Sequence, residues 1–251
     1  MTSFSSPLTA LTFDLDDTLW DNHGVMVATE NGHYDWLDEA IASLEIQRER
    51  MSERFPLSAY QERRQQVARR EPLRRGDFTW IRQQSLLEML REYGLRPQDA
   101  EDYAAAAMEQ FMIFRHQLTP YPEVETMLDD LRQHYALAAI TNGNVQITRL
   151  PLARHFPIAI AAGELLAPKP DARPFLAALA RLGSTPSQTM HVGDSWREDV
   201  LPARRLGMRV AWIDKHGEHP SDIPEGVFRL DHIRELPALL ARLSLALGSR
   251  S

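Results

Sequence analysis

The sequence predicts an α/β protein: a doubly wound parallel sheet into which an all-helical domain is inserted after the first strand. Three observations carry this. Short apolar runs end in polar or acidic groups around residues 10–19, 136–143 and 189–195. From residue 118 onward such runs alternate with amphipathic stretches, which implies parallel strands joined by right-handed helical crossovers. Between about residues 25 and 116, by contrast, strand signals vanish and apolar residues recur at three- and four-residue spacing.

The first strand lies in residues 10–19, ALTFDLDDTL, with Leu11, Phe13 and Leu15 as its apolar residues. A parallel strand buried on both faces should be almost wholly apolar. Asp14, Asp16 and Asp17 at its carboxyl end therefore need a reason, because unpaired charge there is expensive. A bound divalent cation supplies one, with Asp14 and Asp16 as hard oxygen ligands. Residues i and i+2 of an extended segment also point the same way, so Asp14 and Asp16 can converge on one reacting centre, one as nucleophile and the other as acid and base. A carboxylate pair that merely caps a turn is the competing reading.

The inserted segment reads as helices in TENGHYDWLDEAIASL, LSAYQERRQQVARR, TWIRQQSLLEMLREYG and PQDAEDYAAAAMEQFMIFRHQL, punctuated by Phe55/Pro56 and Gly94/Pro97. Further helices are expected at residues 123–134, 145–155, 171–182 and 196–206, and further strands near Ile158 and Val210. The second apolar run ends in Thr141, Asn142 and Gly143. A hydroxyl and a backbone amide beside a glycine-permitted turn make a small anion pocket. Lys169 sits between two prolines in APKPD, a stiffened point charge suited to phosphate. A third run closes in Gly193, Asp194 and Ser195, with Asp199 following. In open α/β sheets ligands bind at the carboxyl ends of strands, where Asp14, Thr141 and Asp194 are all expected.

Composition narrows the function. A chain of 251 residues suits a core with one inserted domain. A net charge of −7 argues against a general nucleic-acid surface. No cysteine is present, so thiolate chemistry and disulfides are excluded. No apolar run approaches bilayer length, and a cleaved leader would remove the first motif. The chain reads as cytoplasmic, with neither membrane nor nucleic acid as a partner, and with only residues 248–251 frayed.

The four pieces FDLDDTL, TNGN, Lys169 and GDSWREDV, in this order, resemble the haloacid dehalogenase superfamily of phosphohydrolases, over nearly the whole chain. The resemblance implies a Rossmann-like core of residues 1–21 and 117–251 and an all-helical cap of residues 22–116. It implies Asp14 as nucleophile and Asp16 as general acid/base. Thr141 and Asn142 would bind the phosphoryl group and Lys169 neutralise it. Mg²⁺ would be held by Asp14, Asp16 through its backbone carbonyl, Asp194 and Asp199. The pieces WDN at 20–22, AITNGN at 139–144 and HVGD at 191–194 are similar to a bacterial subgroup that includes the pyrimidine phosphatase of riboflavin biosynthesis. That likeness implies a small phosphorylated metabolite as substrate, such as 5-amino-6-(5-phosphoribitylamino)uracil or flavin mononucleotide. Other sugar-phosphate phosphatases, phosphomutases, 2-haloacid dehalogenases and a non-catalytic binding protein share the scaffold. A dehalogenase needs neither Mg²⁺ nor a second aspartate, so Asp16 and Asp194 speak against it.

Hinges at 20–22 and 119–122 would let a cap close over the site and exclude water; a permanently packed helical subdomain is the alternative. Trp20, directly after the first motif, is a candidate for lining the substrate pocket, and Arg82 or Trp80 for touching the leaving group. Capping by Asp77 or Thr79 and core packing by Trp80 compete with that reading. The arginine-rich stretch from Arg63 to Arg75, interspersed with Glu62 and Glu71, reads as a solvated helix face. His191 reads as a packed strand residue, since an oxygen-rich site favours Mg²⁺ over metals that select imidazole.

Overall fold

The computed structural model describes residues 6–44, 46, 49–215, 217 and 222–248. The chain divides into two compact units, Met1–Asp21 with Thr119–Ser251, and Asn22–Leu118. Strand β1 is Ala10–Phe13, and all four of its residues are buried.

The helical unit is built from α1 (Asn22–Ala42), α2 (Met51–Arg54), α3 (Leu57–Arg70), α4 (Phe78–Tyr93) and α5 (Pro97–Arg115). Its core is an apolar cluster that includes Leu37, Ile41, Tyr60, Leu86, Leu90, Ala104, Ala107 and Phe111. These residues recur three, four or seven apart on their helices, as a buried stripe requires. Gly32 allows close approach of α1 to α5, because a Cβ there would lie 2.8 Å from the ring of Phe114. Asp77 caps α4 by accepting a hydrogen bond from the Trp80 amide at 3.0 Å. Between α3 and α4, Arg63 pairs with Glu88 and Glu92, and the exposed Arg70 pairs with Glu88. Arg63 and Arg64 depart from the solvated reading, both being half-buried. Arg64 is paired with Glu30 of α1 at 2.7 Å.

After the insertion come α6 (Val124–Leu131), β2 (Ala136–Thr141), β3 (Ile158–Ala161), α7 (Ala162–Leu165), α8 (Arg173–Leu182), β4 (Thr189–Gly193), α9 (Leu201–Arg205), β5 (Arg209–Ile213), β6 (Val227–Leu230) and α10 (Leu236–Gly248). The six strands form one sheet in the order β3-β2-β1-β4-β5-β6, and every neighbouring pair is parallel. One apolar cluster joins Ala138, Ile140, Ile160, Val210 and Trp212 of the sheet to Phe175, Ala178, Leu179 and Ala203. Residues 138 and 140, and 210 and 212, share a face by the period-2 rule, so this is where α8 and α9 pack. With β2 on one side of β1 and β4 on the other, the strand order reverses at β1, and ligands of such sheets bind at that point.

One expectation is corrected. The helix expected over residues 145–155 is instead two short 3₁₀ turns, Ile147–Arg149 and Pro151–His155. Pro151 lacks the amide a continuing helix needs and holds Leu150 extended, at φ −105° and ψ 151°. The helix expected over residues 196–206 is present, beginning with a π-helical turn, Trp196–Val200, that runs directly into α9. Of the segment 248–251, residues 249–251 lie outside the described residues. Among the described residues no helix is long and apolar enough to cross a membrane.

Candidate active site

Asp14 follows β1 directly, and its amide donates to Val192 O at 2.8 Å, which extends the β1–β4 pairing by one residue. The chain then turns sharply. Asp17 adopts φ +61°, and Leu19 N returns to Leu15 O at 2.9 Å. Asx residues tolerate this left-handed conformation best among non-glycine types. The turn leaves Asp14, Asp16 and Asp17 lining one small cavity, of about 190 Å³, with Thr141, Asn142, Lys169, Asp194, Glu198 and Asp199.

Lys169 is the buried centre of charge. Its ammonium donates to Asp14 Oδ1 and to Asp199 Oδ1, both at 2.6 Å. Burial works against its charge, but Asp14 and Asp199 outweigh that and hold its pKa above the usual lysine value. The backbone of Lys169 is clamped at two points by one side chain. Its amide donates to Asn142 Oδ1 at 2.7 Å, and its carbonyl accepts from Asn142 Nδ2 at 3.0 Å. Asn142 Nδ2 also donates to Glu198 Oε2 at 2.7 Å. The Asn142 side chain is therefore occupied in locating Lys169. Thr141 Oγ1 accepts from Gly143 N at 2.9 Å, which directs the hydroxyl proton elsewhere.

Asp14, Asp194 and Asp199 bring carboxylate oxygens within 4.8 Å of one another. Burial pushes the Asp14 pKa well above the ordinary value, Lys169 pulls it down, and Asp199 and Asp194 push it up again. Asp194 is raised to about 7 by burial, then by Asp199 and Asp17. Asp199 goes the other way: burial would raise it, but Lys169 and His191 hold it well below the usual carboxylate range. Three converging carboxylates thus face one buried ammonium. The donors are hard oxygens, and two of the three acids resist ionising where they stand. That set fits a Mg²⁺-type cation, and fits a softer metal poorly.

Asp199 reaches the site because of the π-helical turn, a feature frequent at functional sites. Its Oδ2 accepts from Ser195 N at 3.0 Å, and its Oδ1 also faces His191 Nε2 at 3.0 Å. His191 is fully buried, and its Nδ1 lies 2.9 Å from Thr12 Oγ1. Because an ionised carboxylate only accepts, Nε2 carries the proton and Thr12 donates to Nδ1. His191 is thus a packed strand residue that also orients Asp199. Gly193 is needed beside it, since a Cβ there would lie 2.4 Å from Asp199 Cγ.

Trp20 does not line the cavity. It is fully buried, and its indole N–H donates to Asp16 Oδ1 at 2.9 Å. An oxygen accepting that bond is the carbonyl-like one whenever the carboxyl is protonated, so the proton is steered to Oδ2. Trp20→Phe keeps most of the packing and loses the N–H. Its kcat is expected to fall roughly tenfold with little change in KM, equivalent to about 1.4 kcal/mol, as steady-state kinetics on the purified variant would show. Arg82 lies in the helical unit, paired with Glu30 at 3.2 Å. Glu198 joins the site without a strand-end signal of its own; Ser195 and Glu198 carry the S-x-x-E spacing of a helix start, and Glu198 N donates to Ser195 Oγ at 3.1 Å.

A family model described as haloacid dehalogenase-like hydrolase matches residues 8–207. The 5-amino-6-(5-phospho-D-ribitylamino)uracil phosphatase YigB of Escherichia coli (strain K12) is 32% identical over 206 residues, covering 82% of this chain and 83% of that protein. Phosphoserine phosphatase of Thermus thermophilus is 35% identical over 164 residues, covering 62% of this chain and 64% of its own length. Among solved structures, 2-haloacid dehalogenase from Pseudomonas syringae pv. Tomato DC3000 is 32% identical with a TM-score of 0.84, covering 94% of this chain and 99% of that one. With the carboxylates and the lysine gathered where the strand order reverses, and a match over most of its length, the chain belongs to the haloacid dehalogenase-like hydrolase family.

Proposed function

We propose that this protein is a Mg²⁺-dependent phosphomonoesterase acting on a small phosphorylated metabolite. The observation that supports it most is the cavity in which Asp14, Asp194 and Asp199 converge on Lys169, with Asp16 and Thr141 on the same walls. Asp14, Asp194 and the Asp16 backbone carbonyl would hold the cation, with Asp199 supporting them. When bound, Mg²⁺ offsets the repulsion between a phosphate dianion and a carboxylate nucleophile.

Asp14 attacks phosphorus; a P–O bond forms as the ester P–O bond breaks, giving an aspartyl-phosphate. Asp16 gives its proton to the departing alkoxide. It then takes a proton from the water that attacks phosphorus, which releases phosphate and restores the Asp14 carboxylate. Thr18 Oγ1, donating to Asp14 Oδ2 at 3.3 Å, and Lys169 on Oδ1 fix the nucleophile's plane. Thr141 offers its hydroxyl proton, and Asn142 its backbone N–H, to the phosphoryl oxygens. The cavity has room for a phosphoryl group and a cation.

The likeness to YigB favours a ribityl-type leaving group attached to a planar ring, as in the ribitylaminouracil phosphate or flavin mononucleotide. The likeness to the Pseudomonas syringae protein favours a second reading, 2-haloacid dehalogenation, in which Asp14 displaces halide and no cation is needed. A phosphate-release screen over ribitylaminouracil phosphate, flavin mononucleotide, phosphoserine, sugar phosphates and a phosphopeptide separates these, run beside halide release from 2-chloropropionate. Phosphate release is expected with Mg²⁺, less with Zn²⁺ and none in chelator, with the ribityl esters highest in kcat/KM. Halide release that persists in chelator would install the dehalogenase reading. Equal rates for all small esters would remove the riboflavin assignment and leave the phosphatase.

A further inference from the structure

The helical unit contains a second, chemically different cavity, of about 480 Å³. Its walls come from α3, from the segment leading into α4, and from the first turn of α4. Arg64, Arg75 and Arg82 supply charge, and Ala68, Phe78 and Ile81 supply an apolar side. Glu30 of α1 is the carboxylate that meets Arg64 and Arg82, and both of its oxygens are engaged. Its Oε1 accepts from Arg64 Nη1 at 2.7 Å and from Arg82 Nη1 at 3.2 Å, while its Oε2 accepts from Gln61 Nε2 at 3.0 Å.

The side chains of Arg64, Arg82 and Glu30 are only 18%, 12% and 16% exposed. Two guanidiniums against one carboxylate leave an excess positive charge in surroundings that screen it poorly. The Arg82 Nε is buried and makes no hydrogen bond among the described residues. A buried cationic N–H without an acceptor carries its full desolvation cost. Both guanidiniums are nonetheless held in place, Arg64 over the Tyr60 ring at 5.0 Å and Arg82 over the Phe111 ring at 4.5 Å. Arg75 brings a further, exposed cation to the same cavity, and Phe78 leaves 36% of its surface uncovered there. Rigid excess positive charge beside an apolar wall, in a space of ligand size, is the chemistry of a small-molecule site.

We propose that this cavity binds a small organic anion, a carboxylate or phosphate group carried on an apolar body. Arg82, Arg64 and Arg75 hold the charged end, and Phe78, Ile81 and Ala68 cover the body. The site goes beyond the catalytic reading and does not depend on it. Glu30 sets the geometry of the two inner arginines without neutralising both.

The test uses phenylphosphonate, whose C–P bond an esterase does not cleave, titrated calorimetrically into the full chain in chelator, with benzyl alcohol as the uncharged control. Phenylphosphonate is expected to bind and benzyl alcohol not. Arg82→Met should weaken binding at least tenfold and Arg75→Ala several-fold. Arg82→Met leaves Glu30 matched one-to-one with Arg64, so its anion-free melting temperature should be unchanged or higher. Arg75 is exposed, so Arg75→Ala tests the site without burdening the fold. Loss of phenylphosphonate binding by Arg75→Ala at unchanged phosphoester kinetics supports the site. No binding of phenylphosphonate to the wild type, or equal binding by both variants, overturns it.

Discussion

On the proposed covalent route, Asp14→Asn is expected to reduce phosphate release by at least about 10³-fold, because it removes the nucleophile itself. The amide is almost isosteric and can still accept from Lys169, but it cannot form an aspartyl-phosphate. The fold should not suffer. Burial, and the neighbouring Asp199 and Asp194, hold the Asp14 pKa well above its ordinary value despite Lys169. A raised carboxylate contributes stability that is fully present below its unfolded pKa and is lost as pH rises through the folded one. At neutral pH in chelator the neutral amide avoids that loss, so the variant should melt no lower than the wild type. Phosphate release and thermal unfolding, measured on the same preparation, separate the two effects. Turnover near the wild-type rate would rule out covalent catalysis by Asp14; inactivity with a lower melting temperature would mean that the amide damages the fold.

Much of this site is legible in the sequence because its chemistry sits at the ends of strands. Apolar runs such as LTF, ALAAI and TMHV mark β1, β2 and β4, and the charged groups that follow them stand out against that background. Strand order then brings Asp14, Thr141 and Asp194 to one edge of the sheet, a consequence of parallel topology rather than of any one residue. What was not legible depends on orientation. Trp20 has the same sequence position whether its ring faces a pocket or its N–H faces Asp16, and only the tight turn at Asp17 decides between them. Asn142 reads as an anion binder until its amide is seen to clamp Lys169, 27 residues away. Arg64 is indistinguishable in pattern from Arg63, yet one pairs with Glu30 of α1 and the other with Glu88 and Glu92 of α4. The four-residue β6, with two of its residues outside the core, offers too little pattern to stand out.

Lys169→Met is the companion experiment, because it removes the buried ammonium that contacts both Asp14 and Asp199. The Lys169 side chain is only 2% exposed, and its ammonium touches Asp14 and Asp199 at once. Taking one partner from a buried pair leaves uncompensated charge and costs about 3–5 kcal/mol. Activity should fall with it, since the phosphoryl group and Asp14 would both lose their positive neighbour. The loss of stability should depend on pH in a definite direction. In the wild type, burial favours protonation of Asp199, but Lys169 and His191 overcome this and depress its pKa. A depressed carboxylate contributes stability that is present above the unfolded value, near 3.8, and is lost as pH falls through the folded value. Without Lys169, burial dominates for Asp199 as it already does for Asp14, and the sign reverses: stability is then present at low pH and lost as pH rises. The gap between wild type and variant should therefore be widest near neutrality and close towards pH 4. Urea unfolding in chelator at both pH values reads this directly. A gap of equal size at both would mean that Lys169 stabilises the core through the packing of its methylene chain, with Asn142 holding its backbone for that purpose rather than to aim a charge.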